Sequence, residues 1–231
     1  MKRICPPGYH DYDMAEAVYN PLLTAVFSYI KYSGIKGNVL EFGSYKGYSA
    51  RKIAQYINEF GLDSKLTLFD SWVGMPEISS PEDINSYEVA VLNDWKLGSY
   101  GVPEDTPSII QEDIAEMLGF EKIELVQGYY QDTLKSISFA KQSISVVNID
   151  CDLYESISLV LKKLVQEEAL MDGTVILFDD YNFNRANPDM GARKAIDDIF
   201  VEDGRYSLSF FLNYSWHGRA FIIHDKLYKV S

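Results

Sequence analysis

The sequence predicts a doubly wound α/β fold: a mostly parallel, seven-stranded sheet closed by an antiparallel hairpin. Three observations predict it. Short β-branched or apolar runs alternate with segments of helical period, most gaps between runs can carry a crossover helix, and the gap between the last two runs cannot. In chain order, a leading helical segment at about 1–36 contains an apolar helix at about 13–32. Strands are expected at NVLEF (38–42), KLTLF (65–69), KIELV (122–126), SISVVNI (143–149), GTVILF (173–178), YSLSFFL (206–212) and RAFIIH (219–224). Helices are expected between them at about 48–60, 107–119, 154–169 and 191–202. Only NYSWHG separates the last two strands, so they pair as a hairpin that a plain dinucleotide-binding fold lacks. From Gly74 to about Thr106 the chain has Pro, Ser, Asp and aromatics with no sustained period. Trp72, Tyr87, Trp95 and Tyr100 mark this insertion as an ordered cover rather than a disordered loop.

Composition bounds the function. A chain of 231 residues with 47% hydrophobic content buries a sizeable core, and one domain over 1–231 is expected. Lys plus Arg number 21 against 34 Asp plus Glu, a net charge of −13 that repels polyphosphate, so nucleic acid is excluded as a partner. The two cysteines, Cys5 and Cys151, indicate neither a disulfide framework nor a thiolate zinc site. Pro, Gly and acids stand where a signal peptide needs an apolar run, and no stretch approaches the roughly 20 apolar residues that span a bilayer. A cytoplasmic protein without membrane contact is the expectation. The apolar leading helix and the aromatic insertion offer surface to a second copy of the chain, a homo-oligomer.

The chemistry concentrates at the carboxyl ends of the strands, where open α/β sheets bind ligands. The first strand runs into Glu41-Phe42-Gly43-Ser44-Tyr45-Lys46-Gly47, a glycine turn opening a helix. Glycine lets backbone approach a ligand, and the residues after it present free N–H groups. Glu41 would repel a diphosphate but accept from the ammonium of a methionyl group, and a third glycine at dinucleotide spacing is missing. Asp70 ends the second strand at the interval expected for an acid on ribose hydroxyls; it could equally be a turn residue ahead of Ser71. The fourth strand ends Asn148-Ile149-Asp150-Cys151-Asp152 and the fifth Asp179-Asp180-Tyr181-Asn182. Four carboxylates at neighbouring strand ends are costly unless a cation neutralises them, and an all-oxygen set suits Mg2+, Mn2+ or Ca2+ rather than zinc. The competing reading of Asp152 is a helix cap.

The segments VLEFGSYKGYSA, LTLFDSWVGMPE, IELVQGYYQDTL, VVNIDCDLYES and VILFDDYN, in this order over about residues 35–185, resemble the macrocin O-methyltransferase family of metal-dependent natural-product methyltransferases. The resemblance implies a class I methyltransferase fold and S-adenosylmethionine as cofactor. It implies that Glu41, Gly43 and Gly47 line the methionine end, Asp70 holds the ribose, and Gly128, Tyr129 and Asp132 border the adenine. Ser44, Ser49, Ser71 and Asp150 count with these on the cofactor side. Asp179, Asp180 and one or both of Asp150 and Asp152 would hold Mg2+. Two departures stand out: Tyr48 replaces a smaller residue, and the stretch after Pro76 does not match.

The expected activity is methyl transfer to a hydroxyl of a small acceptor, a sugar or similar vicinal diol. The metal would chelate two neighbouring oxygens and lower a hydroxyl pKa. Deprotonation falls to Asp150 or Asp152, or to His217; His10 lies in a terminal segment and His224 in an apolar strand. Trp216 and Trp95 are candidates for stacking on an acceptor ring. Three other readings stay open: a catechol-type phenol O-methyltransferase, an NAD-dependent oxidoreductase, and a non-catalytic binding subunit on the methyltransferase fold.

Overall fold

The computed structural model describes residues 12–140 and 142–228; Cys5 and His10 lie outside them. Helix α1 (Tyr12–Tyr32) leads into β1 (Asn38–Phe42), α2 (Tyr48–Glu59) and β2 (Leu66–Asp70). The insertion follows, with a short helix α3 (Pro81–Ile84) and a π-helical turn at Glu88–Leu92. Then come α4 (Thr106–Leu118), β3 (Ile123–Gln127), α5 (Tyr130–Ser136), β4 (Ile144–Ile149), α6 (Tyr154–Gln166), β5 (Leu170–Phe178), α7 (Gly191–Asp203), β6 (Tyr206–Tyr214) and β7 (Gly218–Asp225). The strands lie in the order β3-β2-β1-β4-β5-β7-β6. Strands β1 to β5 run parallel, while β7 pairs antiparallel with both β5 and β6. The order reverses between β1 and β4, which sets the ligand crevice at their carboxyl ends.

Strand periodicity builds the two core layers. Val39 of β1, Val146 of β4 and Val175 of β5 face one way and pack with α1, α2 and α4. Leu40, Val147 and Ile176, one residue on, face the other way and pack with α5, α6 and α7. Both faces are therefore apolar, as parallel strands require. Phe27, Phe42, Phe69 and Phe178 are fully buried, each contributing about 2–3 kcal/mol of transfer free energy.

Four expectations change. Helix α5 was not expected: seven residues make under two turns, too few to display a helical period. Strand β5 begins at Leu170 rather than at Gly173, because a bulge opposite Ile144–Val146 absorbs the extra residues and Gly173 takes φ +90° there. The hairpin connection shrinks from six residues to Ser215-Trp216-His217, since β6 continues to Tyr214 and β7 starts at Gly218. The apolar stripe of α1 that suggested a second subunit is used within the chain: Leu22, Leu23, Val26, Phe27 and Ile30 are buried against the first core layer. No helix among the described residues is long and apolar enough to cross a membrane.

Candidate active site at the carboxyl edge of the sheet

The ends of β1, β2, β4 and β5 open on one cavity of about 370 Å3, roofed by the insertion and flanked by the β6–β7 turn. The β1 turn is fixed by contact rather than by composition alone. Gly43 N–H donates to the Phe69 carbonyl (2.9 Å) and Asp150 N–H donates to the Phe42 carbonyl (2.8 Å), so β1 is held between β2 and β4 at this point. Gly43 adopts φ +92°, and a Cβ there would lie 1.6 Å from the Asp150 carbonyl oxygen. Only glycine allows this approach.

Asp70 locks the turn to β2. Its Oδ2 accepts from the backbone N–H of Ser44 and of Tyr45, both at 2.8 Å, and its Oδ1 accepts from Trp72 N–H at 2.7 Å. Asp70 makes a local turn and also lines the cavity beside Ser71. Burial raises its pKa, opposed by these N–H groups, which favour the carboxylate.

Glu41 departs from the expectation that it lines the cavity. It lies on the Val39 side of β1, fully buried beneath the start of α2. Its oxygens accept from Ser44 Oγ (2.9 Å) and Asn148 Nδ2 (3.0 Å), and Ser49 adds a third hydrogen bond. Burial pushes its pKa up to about 7 despite these donors. Glu41, Ser44 and Ser49 thus form a buried polar network that braces the turn from behind. Gly47 also sits behind it, against Ile110 and Arg51, as the left-handed cap of α2. Asp132 departs too: it is exposed on α5 and pairs with Lys135 at 3.7 Å, whereas Gly128 and Tyr129 line the cavity.

Pairing of Ile149 with Phe178 brings the β4 and β5 ends side by side. Asp150, Asp179 and Asp180 each place a carboxylate oxygen within 4.8 Å of the others; Asp152 is not part of this group. Asp152 adopts φ +59°, which turns it out of the strand direction while it still lines the cavity. Asp179 Oδ1 and Asp180 Oδ2 are buried without a hydrogen-bond partner. Burial, followed by the neighbouring carboxylates, lifts Asp150 and Asp180 well above the ordinary carboxylate range, and burial with the Asp179 charge lifts Asp152 to about 7. Burial also raises Asp179, offset by His217 and by a hydrogen bond from Tyr19 of α1.

His217, buried at the mouth of the β6–β7 turn, donates from Nδ1 to the Asp179 carbonyl oxygen at 2.8 Å. A carbonyl can only accept, so in this bond Nδ1 carries a proton. Beside it an aromatic stack runs Trp95–Phe183–Trp216, with ring centroids 5.7 and 5.2 Å apart. It ties the cover to the hairpin. His224 is exposed on β7 and bonds Ser209 Oγ at 2.7 Å, away from the site. Sequence reasoning missed Tyr19, Tyr45, Tyr130 and Phe183, all of which line the cavity. Tyr45 and Tyr130 fall inside the motif segments, and only their neighbours were singled out; Tyr19 reaches the site from α1, where nothing local signals it.

A pH dependence follows. Glu41, Asp70, Asp150, Asp152, Asp179 and Asp180 all have raised pKa values in the folded chain, so over this range the native state binds more protons than the unfolded one. Stability contributed by their protonated forms is complete below the unfolded pKa and is lost as pH rises through the folded one. Glu41 alone, moving from 4.5 to about 7, accounts for about 3 kcal/mol. In EDTA the thermal midpoint is expected to fall as pH is raised from about 5 to about 7.5. A midpoint that climbs across this window would contradict the carboxylate assignment.

No protein with a curated description matches the sequence. The O-methyltransferase NovP superposes with a TM-score of 0.70 at 17% identity, covering 94% of this chain and 83% of that one. The calicheamicin methyltransferase CalS11 gives 0.68 at 17%, covering 87% and 77%. The methyltransferase PaMTH1 of Podospora anserina, solved with S-adenosylhomocysteine bound, gives 0.56 at 15%, covering 95% and 83%. At these identities the likeness is one of fold. The family follows from the sequence itself, because residues 17–199 match the model of the macrocin O-methyltransferases. The five strand-end segments that build the cavity all lie inside that span, and the chain belongs to the macrocin O-methyltransferase family.

Proposed function

We propose that this O-methyltransferase moves the methyl group of S-adenosylmethionine to a hydroxyl oxygen of a small hydroxylated natural product, assisted by Mg2+. The observation that carries the proposal is the meeting, in one covered cavity, of the Asp70-locked glycine turn with the three-carboxylate cluster of β4 and β5. The turn offers backbone to the methionyl end of a cationic nucleoside, and Asp70, with Gly128 and Tyr129, borders the nucleoside end.

Asp150, Asp179 and Asp180 fit a hard divalent cation: each brings an oxygen to the cluster, and Asp179 Oδ1 and Asp180 Oδ2 are buried without partners. When bound, Mg2+ (or Mn2+ or Ca2+) would offset two of these three charges and polarise the acceptor's oxygens. The chain's own residues supply the rest. The cover and the aromatic stack exclude water, which favours displacement at the methyl carbon over hydrolysis. Asp152, outside the cluster and facing the cavity, takes the hydroxyl proton as the oxygen attacks; the methyl–sulfur bond breaks and the electron pair stays on sulfur. His217 holds Asp179 in place through its backbone, as an outer partner of the cation site.

These roles separate experimentally. Asp152→Asn is expected to lower kcat by on the order of a hundredfold or more while S-adenosylhomocysteine binds as before. His217→Phe is expected to weaken Mg2+ about tenfold and to leave kcat at saturating Mg2+ far less affected. Interchanged phenotypes would reassign the base to His217. The activity class is tested by calorimetry with S-adenosylhomocysteine and with NAD, each with and without Mg2+. Micromolar binding of S-adenosylhomocysteine alone supports the proposal; silence in folded protein, with metal present, sinks it.

A further inference from the structure

We infer that the acceptor of this site carries no phosphate or carboxylate: it is an uncharged or cationic ring compound, not a nucleotide-linked sugar or a coenzyme A ester. The inference deepens the proposed methyltransferase reading and rests on it. Among the described residues that line the cavity there are six aspartates, Asp70, Asp94, Asp150, Asp152, Asp179 and Asp180, and neither a lysine nor an arginine. Sites that take phosphate esters ordinarily set arginine or lysine against the anion.

A divalent cation on Asp150, Asp179 and Asp180 offsets two of their three charges and leaves the others. Asp70 is spent on backbone N–H groups. Asp94 and Asp152 remain on the acceptor side; burial first, and then the charges of Asp152, Asp180 and Asp94, push the phenol of Tyr100 at the mouth up to about 12. Lys46, the cation stacked on cavity-lining Tyr45 at 4.9 Å, is not itself among the lining residues. An anionic acceptor would cross this field unpaired, at a cost that grows as the cover excludes water.

The same region offers a surface for an uncharged ring. Trp216 is 66% exposed at the cavity edge, and its inner face is backed by Phe183 at 5.2 Å and an interplanar angle of 27°. Phe183 is backed in turn by Trp95, which is 3% exposed. The outer indole face is thereby pre-oriented and suited to sugar or aromatic rings, or to a cation. If the acceptor is a sugar, its transfer from the nucleotide carrier must precede methylation; a glycosyl-transfer reaction supplies this substrate.

The test uses the full chain saturated with Mg2+ and S-adenosylhomocysteine, whose binding is verified first, so that failure there strikes the methyltransferase reading and not this one. Thymidine diphosphate and coenzyme A are then titrated by calorimetry. No heat up to millimolar ligand is expected; micromolar binding of either overturns the inference. A second measurement reads the field directly. Trp72 and Trp95 are both 3% exposed, so collisional quenching of tryptophan emission reports on Trp216. Relative to N-acetyltryptophanamide, caesium is expected to gain on iodide roughly fivefold in quenching Trp216. Asp94→Asn narrows that ratio, whereas Glu202→Gln, in the separate groove between α6 and α7, does not. A caesium-to-iodide ratio no higher than that of N-acetyltryptophanamide, or equal effects of the two substitutions, overturns the inference.

Discussion

Replacing Asp180 with Asn raises the melting temperature of the metal-free protein and abolishes the further stabilisation that Mg2+ gives the parent chain. The two effects have one cause. Asp180 is 7% exposed, and its Oδ2 has no protein partner while Asp152 and Asp179 press their charges on it. Without a cation this carboxylate is held against burial and repulsion, and an isosteric amide relieves both. The gain is expected at roughly 1–2 kcal/mol, or about 3–6 °C for a chain of this size. With Mg2+ the order reverses, because stabilisation by a bound ion grows with its affinity for the native state. Melting curves in EDTA and in millimolar Mg2+, both at about pH 7.5, read both arms. A variant that is destabilised in EDTA, or that keeps the Mg2+ response, would show Asp180 to be a structural acid satisfied by the protein.

Gly43→Ala is expected to cost more than about 4 kcal/mol and to eliminate S-adenosylhomocysteine binding. The added methyl would stand 1.6 Å from the Asp150 carbonyl oxygen, a backbone atom of the central strand pair that cannot swing aside. Relief requires β1 and β4 to part at the point where Asp150 N–H reaches the Phe42 carbonyl. Gly61→Ala is the control. That glycine also has positive φ, +59°, but its Cβ would meet nothing within 4 Å, so only the left-handed conformation is penalised, at about 1–2 kcal/mol. Urea denaturation of the two variants separates close approach from conformational strain. Equal losses would mean that the glycine turn needs its backbone angle and not its contact with β4.

Much of the site was legible because strand ends in a parallel sheet share an edge. Once VLEF, SISVVNI and GTVILF were read as strands, Gly43, Asp150, Asp179 and Asp180 had to converge, whatever the details of the loops. Glu41 shows where that reasoning ends. Its position two residues before Gly43 was plain, but its side depends on strand alternation: Glu41 shares a face with Val39, and that face lies under α2. The acid meant for a ligand is instead hydrogen-bonded to Ser44, Asn148 and Ser49. The placement of Asp132 was hidden for a similar reason: α5 was not visible as a helix, so its outward face could not be assigned.

The sequence by itself determined the layered α/β architecture, the antiparallel hairpin, the family and the edge at which chemistry gathers. Hydrophobic period, gap length and strand-end motifs are local properties, written within a few residues of one another. Only the tertiary structure decided that Asp150 joins Asp179 and Asp180 while Asp152 turns aside, that Tyr19 reaches the cluster from α1, and that Trp95 and Trp216 are joined through Phe183. These relations depend on one left-handed residue, on helix packing and on the seating of a cover. Such contacts between distant segments, decided over a few ångströms, leave no periodic trace in the chain.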